Sequence, residues 1–192
     1  DQVLSIGGKV LYEHKYDMES INFFNKLIRE TRGEVTVIDI GANWGLFSRQ
    51  VIHFNKVNIN KIFCYEPDPG NFKILIKNLS SLNNIRFRNM GLGSKDENRI
   101  LYREASNDGN YSLLRDAMRD NEYDQIHITI INALNELESW MKTNTKIFWK
   151  SDTQGHDEAI VTSLPLDFWE GNVMGGVIEL WRLKGKDFNA NK

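Results

Sequence analysis

The segment Val35–Phe47, V-T-V-I-D-I-G-A-N-W-G-L-F, constrains the fold more than any other part of the chain. Val35 to Ile40 is a short apolar run, β-branched almost throughout, which suits a strand covered on both faces in a parallel sheet. The run breaks at Gly41, passes Asn43 and Gly45, and gives way to a helical periodicity at Leu46. A strand, a glycine loop and a helix start, in that order, form the junction where open α/β sheets dock nucleotide-like ligands.

The rest of the chain keeps the same rhythm. A helix is expected from about Asp17 to Glu30, with Asp17 as its cap and Ile21, Phe24, Leu27 and Ile28 on one face. Another should follow the glycine loop, from Trp44 to Phe54. Lys61–Glu66 (K-I-F-C-Y-E) reads as a second strand. Asp68 then caps a helix that opens at Pro69 and carries Phe72, Leu75, Ile76, Leu79 and Leu82 on one side. Ile85–Asn89 reads as a third strand. This β-α-β-α-β run predicts a doubly wound, mostly parallel sheet with right-handed crossovers.

Beyond Asn89 the pattern changes. Arg99–Arg103 and Gln125–Ile131 read as strands around the polar stretch Ser106–Asn110, which predicts an antiparallel insertion. Asn135–Lys142 reads as a short helix. Lys146–Lys150, Gly155–Ser163 and Val173–Leu180 resume the order strand, helix, strand. A hairpin turning at Gly7-Gly8 is expected over Val3–Tyr12. No repeat or linker divides the chain, so one domain is expected over residues 1–192, with its core at 35–183.

Composition excludes several classes. The net charge is −2 and Lys and Arg are scattered, so no nucleic-acid surface is expected. No apolar run is long enough to span a membrane and no secretory signal opens the chain. The single cysteine, Cys64, rules out an internal disulfide and fits a reducing, cytoplasmic setting. Because the first residue is Asp1, the chain is expected to be trimmed or cut from a longer protein. His14, His53 and His127 form no metal-ligand spacing with Cys64, and no metal is expected.

A second signal narrows the ligand. Glu66 ends the second predicted strand roughly twenty positions beyond the glycine loop, where an acid accepts hydrogen bonds from ribose hydroxyls. Gly41 and Gly45 by themselves would equally serve a tight turn and close helix–sheet packing. Loop and acid together point to a ribose-bearing ligand. The loop lacks the G-x-G-x-x-G of dinucleotide enzymes, which counts against an NAD-dependent oxidoreductase.

Four motifs occur in the order seen in the FkbM-type S-adenosylmethionine-dependent methyltransferases. They are D-I-G-A-N-W-G-L-F at Asp39–Phe47, Y-E-P-D-P-G-N-F at Tyr65–Phe72, N-M-G-L-G at Asn89–Gly93 and K-S-D-T-Q-G-H-D at Lys150–Asp157. Over residues 35–183 the chain resembles that family. The resemblance implies a Rossmann-like fold of the class I methyltransferase type, S-adenosylmethionine as cofactor, and methyl transfer to a hydroxyl of a sugar, a glycan or a secondary metabolite. It implies that Gly41, Ala42, Asn43 and Gly45 wrap the methionine part through backbone groups. Asp39 would orient the loop or reach the cofactor's amino group, Glu66 would hold the ribose, and Met90–Gly93, with Gly91 and Leu92, would border the adenine. Asp152 and the Gly155-His156-Asp157 turn would face the methyl group and the acceptor.

The chain also departs from that pattern. Ser151 stands in place of an aliphatic residue, and Ala133-Leu134-Asn135 in place of T-L-D. It ends soon after Val173–Leu180, where relatives continue through another helix and a strand pair. These departures suit a second reading, a non-catalytic ligand-binding or scaffolding module of a larger protein.

Candidate catalytic groups should sit at the carboxyl ends of the parallel strands. Asp39, Glu66, Asp152 and Glu179 all end, or nearly end, predicted strands and could line one crevice, though each could instead cap the next helix. His156 falls at a helix start, whose positive end favours the neutral, proton-accepting imidazole; the plainer reading is a surface histidine in a turn. The catalytic candidates are therefore Asp152, His156 and Glu179. Tyr111-Ser112 resembles a serine-bearing segment that approaches the cofactor in relatives, and otherwise reads as a surface loop. Trp140, Trp149, Trp169 and Trp181 could stack on a sugar ring or pack internally.

Overall fold

A computed structural model describes residues 18–55, 58–104, 111–115 and 123–179. The hairpin expected over Val3–Tyr12, the cap Asp17, the stretch Ser106–Asn110, Leu180 and Trp181 lie outside the described residues.

The protein has an α/β fold around a five-stranded parallel sheet, with a smaller mixed sheet beside it. Its first elements are α1 (Met18–Glu30), β1 (Val35–Ile40), α2 (Leu46–Asn55), β2 (Ile59–Tyr65), α3 (Pro69–Leu79) and β3 (Ile85–Arg88). The insertion follows as β4 (Gly91–Gly93), β5 (Glu97–Glu104), β6 (Tyr111–Ser112) and β7 (Tyr123–Asn132). A 3-10 turn (Ala133–Glu136) leads into α4 (Leu137–Met141), then β8 (Lys146–Ser151), α5 (Asp157–Ser163), α6 (Leu166–Asn172) and β9 (Val173–Ile178). The parallel sheet has the order β3-β2-β1-β8-β9, and the second sheet β4-β7-β5-β6.

The pleat of β1 sorts its side chains to two buried layers. Val35 and Val37 pack with Ile21, Phe24 and Ile28 of α1, Phe47 and Val51 of α2, and Leu75 and Leu79 of α3. Ile38 and Ile40 face the other layer, with Trp140 of α4, Ile160 of α5 and Phe168 of α6. Every residue of β1 is buried, as its unbroken apolar run requires.

Several boundaries move for local reasons. The helix expected from Trp44 starts at Leu46, because Asn43 (φ 48°) and Gly45 (φ 77°) hold left-handed backbone. The helix expected from Gly155 starts at Asp157, because Gln154 (φ 53°) and Gly155 (φ 101°) do the same. The segment expected as one helix over Asn135–Lys142 splits into the 3-10 turn and α4. Helix α6 and the short strands β4 and β6 have no counterpart in the sequence reading. Leu166–Asn172 is too short to display a period, and β4 and β6 are strands only through their partners.

Trp140 and Trp149 are core residues, meeting edge to face with ring centroids 5.6 Å apart. Trp169 packs on Trp149 at 4.9 Å. These three indoles therefore form a packing cluster beneath the sheet.

Candidate functional site

The strand order reverses between β1 and β8, so the loops after these two strands leave in opposite directions and open a crevice. A cleft of about 750 Å³, counted out to its solvent mouth, occupies that position. One wall is polar and comes from the carboxyl ends of the parallel strands: Gly41, Asn43, Glu66, Asp152, Thr153 and Gln154. The other is apolar and comes from the second sheet and its approach: Leu92, Leu101, Ile128 and Ile130, with Tyr111 and Leu113. The antiparallel insertion thus roofs the crevice. The alternation of Ile126, Ile128 and Ile130 along β7 is the sequence signal for that apolar face, but it does not say what the face covers.

Glu66 is the best-defined acid of the polar wall. Its Oε2 accepts from the Asn43 backbone N–H at 2.8 Å and its Oε1 from that of Asp68 at 2.9 Å. The carboxylate therefore bonds directly to the glycine loop. Burial pushes its pKa up to about 7, with the two backbone donors partly offsetting the loss of water.

Asp39 lies elsewhere. The β1 pleat turns it to the same face as Val35 and Val37, and register sets it opposite Lys150 of β8. Lys150 Nζ sits 3.0 Å from Asp39 Oδ1 and donates to the carbonyls of Gly41 at 2.8 Å and Ile40 at 3.2 Å. Ser48 Oγ donates to Asp39 Oδ2 at 2.6 Å. Asp39 is thus a buried anchor under the loop and does not line the cleft. Lys150 opens the K-S-D-T-Q-G-H-D motif, yet its tie to the loop depends on strand register and is invisible in sequence.

Four of the loop's five backbone amides are paired, three of them to Tyr65 and Glu66 at the end of β2. The N–H groups of Gly41 and Ala42 donate to Tyr65 O, that of Asn43 to Glu66, and that of Gly45 to Ala42 O. A Cβ on Gly41 would lie 2.0 Å from the Asp152 carbonyl oxygen, and one on Gly45 would lie 2.6 Å from a Leu75 methyl. Both glycines are therefore demanded by packing as well as by their positive φ. Ala42 and Gly45 do not line the cleft.

On the other side, Asp152, Thr153, Gln154 and His156 line the cleft, and Glu179 stands behind them. Gln154 Nε2 donates to Asp152 Oδ1 at 2.8 Å and to Glu179 Oε2 at 2.9 Å. Asp157 turns inward instead of facing the cleft: Ser151 Oγ donates to it, and so does the Thr153 N–H at 3.2 Å. This explains how a serine is accommodated at 151. Burial and the nearby Arg99 lower the His156 pKa from 6.5, which holds the imidazole neutral. Tyr111-Ser112 is not a surface loop. Ser112 is buried and donates to Gln154 O at 2.8 Å, tying the roof to this loop.

Among the described residues, six buried side-chain N or O atoms have no hydrogen-bond partner. Three of them, Asn43 Oδ1, Thr153 Oγ1 and His156 Nε2, belong to residues lining this cleft. Buried polar atoms left unsatisfied are costly, and their clustering here is what a ligand site produces.

No protein-family model matches the chain, and no curated protein sequence matches it. Similar solved structures include the methyltransferase FkbM from Methylobacillus flagellatus KT, 14% identical over 72% of this chain and 31% of that one, with a TM-score of 0.47. Another is the 23S rRNA methyltransferase ErmE, 27% identical over 38% of this chain and 28% of that one, with a TM-score of 0.31. The chain spans about a third of the length of these proteins. Likeness at this level carries no residue of either site onto this chain.

Proposed function

We propose that the cleft binds S-adenosylmethionine and that the chain is an O-methyltransferase acting on a hydroxyl of a sugar, a glycan or a small metabolite. The observation that carries this reading is the buried Glu66 carboxylate, held by the glycine loop's own amide at the wall of a crevice lined by three orphaned polar atoms.

The residues present fit the cofactor. Glu66 would accept from ribose hydroxyls. Leu92, Leu101, Ile128 and Ile130 offer an apolar slot for a flat base. Asn43 Oδ1 is an acceptor suited to the cofactor's ammonium. The bound cofactor would supply a methyl group already activated by its sulfonium. The chain's own task is alignment, which is worth on the order of 7–11 kcal/mol for well-placed reactants. Asp152 accepts a hydrogen bond from the acceptor hydroxyl and orients it. His156, neutral at ordinary pH, takes up the hydroxyl proton at Nε2. The roof keeps bulk water from the crevice.

Four of the five loop amides, those of Gly41, Ala42, Asn43 and Gly45, are already paired, which leaves little to cradle a pyrophosphate and disfavours a dinucleotide. The same pairing would let the loop keep its shape without a ligand, and this favours, as a second reading, a module that binds or scaffolds without transfer. Calorimetric titration with S-adenosylhomocysteine and with NAD separates the cofactors; tighter binding of NAD would overturn the methyltransferase reading. Labelled methyl transfer to neutral glycosides and alcohols then separates enzyme from module. Binding without transfer to any acceptor supports the module.

A further inference from the structure

We propose that Gln154 is a positioning residue that aims Asp152 at the acceptor hydroxyl; the inference rests on the methyltransferase reading of this cleft. Gln154 holds φ 53°, a left-handed conformation that favours glycine and, less strongly, asparagine and aspartate. Its Nε2 spans from Asp152 Oδ1, at 2.8 Å, to Glu179 Oε2, at 2.9 Å, joining the loop after β8 to the end of β9. A primary amide has two N–H protons, one for each carboxylate. Its backbone carbonyl accepts from Ser112 Oγ at 2.8 Å, so the second sheet holds the same residue from the other side.

Three elements therefore meet at Gln154 on the cleft wall. With Oδ1 of Asp152 committed to the amide, Oδ2 is the oxygen left to meet an acceptor. A carboxylate oxygen there selects a hydrogen-bond donor, an alcohol or an uncharged polyol, and repels a phosphate or a carboxylate. Glu179 does not touch the cleft. It acts through Gln154, which makes it a positioning residue as well.

The decisive variant is Gln154→Gly, which removes the side chain while easing the backbone. It should stay folded and bind S-adenosylhomocysteine within about twofold, while the KM for a neutral glycoside acceptor rises about tenfold, the loss of one charge-assisted contact. The same variant should narrow the preference for that glycoside over its phosphate ester. An unchanged KM and preference overturn the proposal. A readout independent of turnover is the Gln154 side-chain amide in 15N NMR. Both of its protons should be shifted and slow to exchange in wild type, with one perturbed in Asp152→Asn and the other in Glu179→Gln. If neither substitution moves them, the bridge does not exist in solution and the proposal fails. Absence of S-adenosylhomocysteine binding by wild type overturns the methyltransferase reading instead, and the amide resonances still decide the bridge.

Discussion

The loops that follow β1 and β8 lie side by side, with Ile40 opposite Ser151, and they are built alike. Each has a glycine at positive φ, Gly41 in one and Gly155 in the other. Each also forces a non-glycine residue into left-handed backbone, Asn43 at 48° and Gln154 at 53°. They differ in what holds them. The first loop is pinned from within the parallel sheet, by Tyr65 and Glu66 at the end of β2 and by the Lys150–Asp39 pair beneath it. The second is held by Asp157 at the start of α5, by Glu179 just beyond β9 and by Ser112 from the second sheet. One loop is thus held within the parallel sheet and the other is tied between the two sheets.

The strongest way to break this contrast is Gly41→Ala. Its Cβ meets the rigid backbone carbonyl of Asp152, so destabilisation on the order of 4 kcal/mol or more is expected in chemical denaturation. Gly45→Ala meets side-chain atoms of Leu75 and Leu79, which can shift where the Asp152 backbone cannot, and should cost less. If the two cost the same, backbone contact between the loops is not what demands Gly41.

Lys150→Met tests the anchor. It leaves Asp39 buried without its cation and should cost about 3–5 kcal/mol. The double variant Lys150→Met/Asp39→Asn should recover part of that loss. A double variant as unstable as the single one would show that the lysine acts only through the two carbonyls.

Glu66 should write itself into the pH dependence of folding. Its pKa rises from 4.5 to about 7 on folding, so the native state holds the proton more tightly. The stabilisation is fully present below pH 4.5 and is lost as pH rises to about 7, a change on the order of 3 kcal/mol. Denaturation of wild type and Glu66→Gln across that window should converge or diverge accordingly, and parallel curves would refute the buried carboxyl. S-adenosylhomocysteine binding should run the opposite way, tightening about tenfold between pH 6 and 8 as Glu66 ionises.

The smallest effects concern His156 and Asn43. Because the His156 pKa is lowered, the acidic loss of methyl transfer should fall below pH 6.5, and His156→Ala should abolish that acidic limb. If the variant keeps both full rate and the same pH profile, His156 is not the base. Asn43→Gly should change stability by less than about 1 kcal/mol, since glycine accepts the same φ. It should weaken S-adenosylhomocysteine binding by removing Oδ1. If it melts several degrees lower, the asparagine side chain supports the loop and not the ligand.

Much of this molecule follows from short-range pattern. The buried run of β1, the turn at Gly41 to Gly45, the capped start of α3 at Asp68-Pro69 and the acid ending β2 are each written within a few residues, because strand burial, positive φ and capping are local. Their order along the chain implies the parallel sheet and places Glu66 beside the loop. Other features depend on which strands pair and in what register, across separations of a hundred residues. The β1–β8 register sets Asp39 against Lys150 and takes it out of the cleft. Packing of the second sheet turns Leu101, Ile128 and Ile130 into a roof and brings Ser112 to Gln154. The alignment of β8 with β9 puts Glu179 behind Asp152 and lets one amide hold both. By itself the sequence determined the glycine loop and its acid, since local sterics and capping suffice for both. Tertiary structure alone decided which acids face the ligand, because side-chain direction is a property of register and not of residue type.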